Sequence, residues 1–221
     1  MTLQPPTRRM KSLYALLFCL LLVACQTTVW QVAFAPPGQV LFKEDFSDPA
    51  SGWPRRETEE GQMDYFGGAY RIIVRRADYH LWALAGAEQY TDIRLEVDAA
   101  PLSGPLENRF GLLCRHRDPN NFYFFVISAD GYYGLGKVKD GIPALFGQEM
   151  MTANPAIVRG FAANHLRLDC VGDALTAYVN GQPVALAHDT DLPDGRAGLL
   201  AGTFHSVNVD VVFDNFQIIK P

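Results

Sequence analysis

From residue 40 to the C-terminus the chain is cut into short runs of alternating apolar and polar residues by recurring turn pairs. These are Gly67-Gly68, Asp130-Gly131, Asp140-Gly141, Gly172-Asp173, Asn180-Gly181 and Asp194-Gly195. Asn-Gly and Asp-Gly tolerate the positive φ of a two-residue hairpin, so each marks a reversal between antiparallel strands. No segment sustains a 3.6-residue apolar stripe. The pattern predicts an all-β sandwich of two antiparallel sheets, with strands at 40–46, 62–66, 69–75, 80–84, 93–99, 109–116, 122–128, 132–138, 164–171, 174–179, 197–201 and 207–219. The last run is long enough to hold a bend or bulge near Asp214-Asn215. Residues 142–163 follow no pattern and read as a long surface loop with fragments of strand, where ligand contacts are to be sought.

The N-terminus has a separate logic. Arg8, Arg9 and Lys11, with no acid among them, precede an apolar run from Leu13 to Val23, the layout of an export signal and too short for a stable membrane span. The run ends in Leu22-Val23-Ala24-Cys25, which resembles the lipobox of bacterial lipoproteins. The resemblance implies cleavage after residue 24, a lipid on Cys25 and anchoring to the bacterial cell envelope, with more than one acyl chain making the attachment durable. Residues 25–39, with Pro36-Pro37, read as a tether, and 40–221 as one domain.

Losing residues 1–24 removes three basic residues and no acidic ones, so the net charge moves from −5 to −8. An acidic chain argues against a nucleic-acid partner and against a basic patch for anionic membranes. Of the four cysteines, Cys19 lies in the discarded segment and Cys25 is claimed by lipid. Cys114 and Cys170 fall in step with core-facing positions of two strands, either as a disulfide formed in an oxidising compartment or as two buried thiols.

The order of several segments resembles the concanavalin A-like lectin/glucanase superfamily, and within it the 3-keto-disaccharide hydrolase-like and laminin-G-like domains. The segments are Phe42-Lys-Glu-Asp-Phe-Ser-Asp-Pro-Ala-Ser-Gly-Trp53, Phe110-Gly-Leu-Leu-Cys-Arg115, Asn121-Phe-Tyr-Phe-Phe-Val-Ile127, Asp130-Gly-Tyr-Tyr133, Asn164-His-Leu-Arg-Leu168, Tyr178-Val-Asn-Gly181 and Val212-Phe-Asp-Asn-Phe216. The resemblance implies a concanavalin-like jelly roll whose concave face holds sugars on aromatic and charged side chains. By alternation, Arg115, Tyr123, Tyr133, Lys137, His80 and Trp82 are the candidates for that face, each with core packing or a structural ion pair as its alternative. It also implies a structural calcium ion between the first and last strands, for which Asp45, Asp48 and Asp214 are the candidate ligands and turn chemistry is the alternative.

Retaining glucanases of this superfamily carry Glu, Asp and Glu at alternate positions of one strand. Here Glu96 and Asp98 begin that series and Ala100 breaks it, so both read as the solvent face of an ordinary strand. Histidines 80, 116, 165, 188 and 205 stand apart, without triad or metal-ligand spacing. The expectation is a non-catalytic envelope module that requires no cofactor and recognises a glycan or surface protein through its concave face. A surface enzyme of the hydrolase-like branch and a purely structural envelope lipoprotein are the alternatives.

Overall fold

The computed structural model describes residues 35–221; the export signal, Cys25 and most of the tether lie outside the described residues. Among the described residues, sixteen strands and no helix form two antiparallel sheets. The nine-stranded sheet runs in the order β14 (Gln182–His188), β13 (Ala174–Val179), β12 (Asn164–Val171), β6 (Ile93–Ser103), β16 (Val209–Ile219), β4 (Ala69–Val74), β3 (Gly61–Phe66) and β2 (Arg56–Glu57), with β1 (Val40–Glu44) also paired to β16. The seven-stranded sheet runs β10 (Ile142–Leu145), β9 (Tyr132–Lys139), β8 (Asn121–Ile127), β7 (Asn108–Asp118), β15 (Arg196–Thr203) and β5 (His80–Leu84), with β11 (Thr152–Ala153) on β9. The architecture is the sandwich that the alternation predicts. Four strands escape it: β2, β10 and β11 are too short to show a period, and β14 is an edge strand interrupted by Pro183.

A disulfide between Cys114 of β7 and Cys170 of β12 joins the sheets and fixes which face of each looks inward. In step with Cys114 lie Phe110 and Leu112, and across the ladder Tyr123, Phe125 and Ile127, all buried. In step with Cys170 lie Leu166 and Leu168, facing Leu95, Val97 and Ile93 of β6. The apolar positions of the two sheets meet between them and form the core.

Two bulges rephase this alternation. In β16, Val209, Val211 and Phe213 are buried, then Phe216 and Ile218. The extra residue sits at Asp214-Asn215, where the register to β6 shifts and Asn215 adopts a φ of 54°. That kink lets β16 pair with β4 along its first half and with β1 along its second. In β7 the bulge falls at Arg115, with a φ of 50° and register breaks toward both β8 and β15. Only glycine fits beside it, since a Cβ at Gly195 would lie 2.4 Å from the Arg115 carbonyl carbon. On the nine-stranded sheet, Phe46, Trp53, Tyr70 and Phe216 pack ring against ring, which gives the 42–53 segment its place in the fold.

The disulfide closes a loop spanning 56 positions, so removing it frees the unfolded chain. The double variant Cys114→Ser/Cys170→Ser is expected to keep the fold but lose about 4 kcal/mol of stability by the chain-entropy relation, read as a lower urea midpoint.

Candidate functional site

The outer face of the seven-stranded sheet is set by the residues opposite in phase to Cys114. Across its rows, Leu84, Gly198, Leu113, Phe124 and Gly136 lie in register, and beside them Trp82, Leu200, Gly111, Val126 and Gly134. A third row carries His80, Gly202 and Arg109. Glycine in a strand interior marks a place where something approaches closely. A Cβ at Gly134 would meet Leu145 and Met151 at 3.0 and 3.2 Å, and one at Gly202 would lie 2.7 Å from Arg109 Nε.

This face is divided. One part is filled by an apolar cluster of Leu113, Phe122, Val126, Val138 and Leu200, packed under Trp82, Leu84, Phe124 and Met151. Around it His116 stacks on Phe122 at 5.6 Å between centroids, while Trp82 lies 6.0 Å from His116 and 5.3 Å from His80. His116 is only 6 % exposed, and neither ring nitrogen has a hydrogen-bond partner among the described residues. The other part is a cleft of about 830 Å³, within the about 300–1,000 Å³ of small-molecule sites.

Phe124 and Val126 of β8 form part of the cleft lining, with Arg109 and Phe204 to one side. Seven of its fifteen lining residues come from 143–151, so the irregular stretch builds one wall. Glu107, Asp130 and Glu149 bring carboxylates, and Tyr132 an aromatic ring, to its surface. The Arg109 guanidinium lies over the Phe204 ring, 4.9 Å from the centroid, and its buried Nε has no partner among the described residues. Burial lowers the Arg109 pKa, opposed by the charge of Asp78. Asp130 accepts a hydrogen bond from Ser128 Oγ. The cleft therefore offers a planar multidentate donor, carboxylate acceptors and aromatic surfaces, the inventory that a polyhydroxylated ligand requires.

Several residues expected on this face are elsewhere. Arg115 is 2 % exposed, and its guanidinium donates to the carbonyls of Thr91, Leu192 and Gly172 at 3.1, 3.1 and 2.7 Å. It is a structural knot, placed inside because the bulge takes it out of phase. Tyr123 is buried in the core, donates to Asp189 at 2.6 Å and accepts from the Leu192 amide. Burial, and then the hydrogen bond to Asp189, pushes its phenol up to about 12. Lys137 pairs with Asp189 and Asp191, and Tyr133 sits opposite Ile127, so both share the inward phase of Tyr123. On these strands the alternate residues, Phe124, Val126 and Tyr132, are the ones that reach the cleft. His80 and Trp82 lie on the cleft-bearing face but pack in the filled part, outside the cleft lining.

The three carboxylates expected to hold calcium are engaged in turn chemistry. Asp45 accepts from Ser47, Asp48 from the Ala50 amide and Asp214 from the Asn215 amide, each within its own turn. No group of three or more metal-ligating side chains is assembled among the described residues. Glu96 and Asp98 lie on the outer face of the other sheet, with His165 Nδ1 2.8 Å from Asp98 and Asn215 donating to it. They stand apart from the cleft.

No protein-family model matches the chain, and no curated protein matches it in sequence. Solved structures do resemble it. A carbohydrate-binding module, CBM66 from Bacillus subtilis, is 20 % identical with a TM-score of 0.61, over 77 % of this chain and 96 % of that one. A Bacillus subtilis protein of unknown function with a galectin-like fold is 14 % identical with a TM-score of 0.64, over 84 % and 97 %. A Bacillus licheniformis β-glucanase is 10 % identical with a TM-score of 0.57, over 85 % and 100 %. The fold is thus a concanavalin-like jelly-roll sandwich.

Burial, aided by the charge of Arg109, brings the His80 pKa down to about 4, and burial lowers that of His116 against Asp118 and with Arg196. Both shifts disfavour the protonated ring in the fold, whereas the unfolded rings titrate at about 6.5. The stability tied to them is therefore whole above about pH 6.5 and falls as the pH drops below it, toward about 4 for His80. The urea midpoint should follow that course, and His80→Phe should flatten it. Arg115→Ala strands three carbonyls and is expected to cost about 3–5 kcal/mol in urea denaturation.

Proposed function

We propose that this protein is a carbohydrate-binding module of the bacterial cell envelope, held there by lipid on Cys25, which grips a glycan in the cleft between β8 and the 143–151 wall. The observation that carries this reading is Arg109, a partly buried cation seated on Phe204 with an unpartnered Nε, facing a cleft that also offers Tyr132 and three carboxylates. Guanidinium donors bridge adjacent hydroxyls, carboxylates accept from them, and aromatic rings cover the apolar faces of pyranoses. The similarity to a carbohydrate-binding module and to several glycoside hydrolases supports the same class of ligand.

A glycosidase is the second reading, favoured by Glu107, Asp130 and Glu149 sharing one cleft. Glycoside hydrolysis needs such a pair, one carboxyl as acid and one as nucleophile or base.

The mature chain, residues 25–221 with Cys25→Ser for solubility, should bind members of a glycan panel without releasing product. Arg109→Ala should weaken each hit by about tenfold or more, the worth of a charged hydrogen bond. Glu96→Gln, on the opposite sheet, should leave affinity unchanged. Product release abolished by Glu107→Gln, Asp130→Asn or Glu149→Gln would establish the enzyme reading, and silence on every glycan would sink both.

A further inference from the structure

We propose that the cleft receives the end of a glycan chain and not an internal stretch of it. The inference rests on the carbohydrate-binding reading and concerns which part of the ligand enters.

Along β8 the cleft is lined by Phe124, Val126 and Ser128 and goes no further toward the start of the strand. The next residue in phase, Phe122, is 1 % exposed. It stacks on His116, lies 6.1 Å from the Trp82 ring and pairs across the ladder with Val138, itself 7 % exposed. Side chains already occupy the space that a continuing saccharide would need. Laterally, Leu145 and Met151 lean over Gly134, so the irregular stretch closes that side.

The opposite end differs. Tyr132 is 40 % exposed, and Glu107 and Asp130 lie beside it at this end, where the Asp130 amide donates to the Leu106 carbonyl. From Ser128 back to Phe124 the floor spans a few residue steps of extended chain, about 13 Å at the usual rise. A floor of that length, open at the Tyr132 end and stopped at Phe122, admits a terminal saccharide with a short stretch behind it. An internal segment would need a second exit, and opening one would mean displacing Phe122 and exposing the cluster of Leu113, Val138 and Leu200.

Arg109 fits this arrangement. It lies in the row nearest the mouth, in register with Gly202 and one position from the Phe110–Ile127 pair, so its guanidinium addresses the ligand behind its terminal unit. Phe124, half-buried at the border of the filled part, meets the terminal ring itself.

The experiment takes a linear polysaccharide that binds the mature Cys25→Ser chain and shortens it by mild acid hydrolysis at constant mass. Binding sites per gram are counted by titration calorimetry before and after. The expected result is a rise in sites per gram equal to the fold increase in chain ends. A second measurement compares a linear oligosaccharide with a cyclic one of the same linkage, and loss of binding to the ring is expected. Sites per gram that stay constant, or a ring that binds as well as its linear counterpart, would overturn chain-end recognition while leaving carbohydrate binding intact. If no saccharide binds, the carbohydrate reading itself falls, and this inference with it.

Discussion

The buried guanidinium of Arg115 is the contact on which the geometry of both sheets converges. A cation at 2 % exposure is tolerated only when its donors are satisfied, and here three backbone carbonyls from three separate segments do so. Thr91 precedes β6, Gly172 turns β12 into β13, and Leu192 belongs to the connection between β14 and β15. One side chain thus ties a strand of the seven-stranded sheet to three loops of the sandwich. The same bulge rephases β7, so that Cys114 reaches inward to Cys170 while His116, two residues later, turns to the outer face and stacks on Phe122. The filled half of that face, and therefore the limit of the cleft, descends from a single extra residue.

Much of the fold was legible because alternation and turn chemistry are local. Strands 80–84, 164–171 and 174–179 match the structure to the residue, and the bulge at Asp214-Asn215 was visible as a strand too long for one register. The cleft was harder to read, since a one-residue difference in phase exchanges the two faces of a strand. Alternation makes Tyr123, Tyr133 and Lys137 candidates for the concave face, yet their phase is that of Leu135 and Phe125, which point into the core. A usable signal did exist. Gly111, Gly134, Gly136, Gly198 and Gly202 fall on the other phase of their strands, and a run of glycines on one face of a sheet marks the side where a groove is left open. Arg115 misled for another reason: an arginine inside an apolar strand announces that it needs partners, but not whether they are carbonyls or a ligand.

The two halves of the outer face also show why an acidic surface can coexist with a cation in its cleft. The chain carries more carboxylates than basic residues, and several of its ion pairs, such as Arg71 with Asp210 and Lys137 with Asp189 and Asp191, are spent on holding strands and loops. Asp189 illustrates the balance. Burial opposes its ionisation, but hydrogen bonds from Lys137 and Tyr123 outweigh that cost and hold the carboxyl below its ordinary range. Arg109 stands outside this economy of pairing, with an aromatic ring where others have a carboxylate.

The glycine positions of the cleft-bearing face have a consequence for how such a protein can change. A Cβ at Gly111, Gly136 or Gly198 would fall 2.2, 2.3 or 2.1 Å from a carbonyl oxygen of the neighbouring strand, so no side chain can be introduced there without moving the sheet. The strands that carry the cleft floor thus meet backbone to backbone at these positions, and the spacing of the sheet there resists gradual alteration. Heritable variation in what the cleft accepts has to enter through its borders, in the 143–151 stretch and around Glu107 and Tyr132. There Pro143, Glu149, Met150, Glu107 and Tyr132 are exposed, and substitutions at them leave the sandwich undisturbed. A protein built this way diversifies as a fixed die with an exchangeable rim.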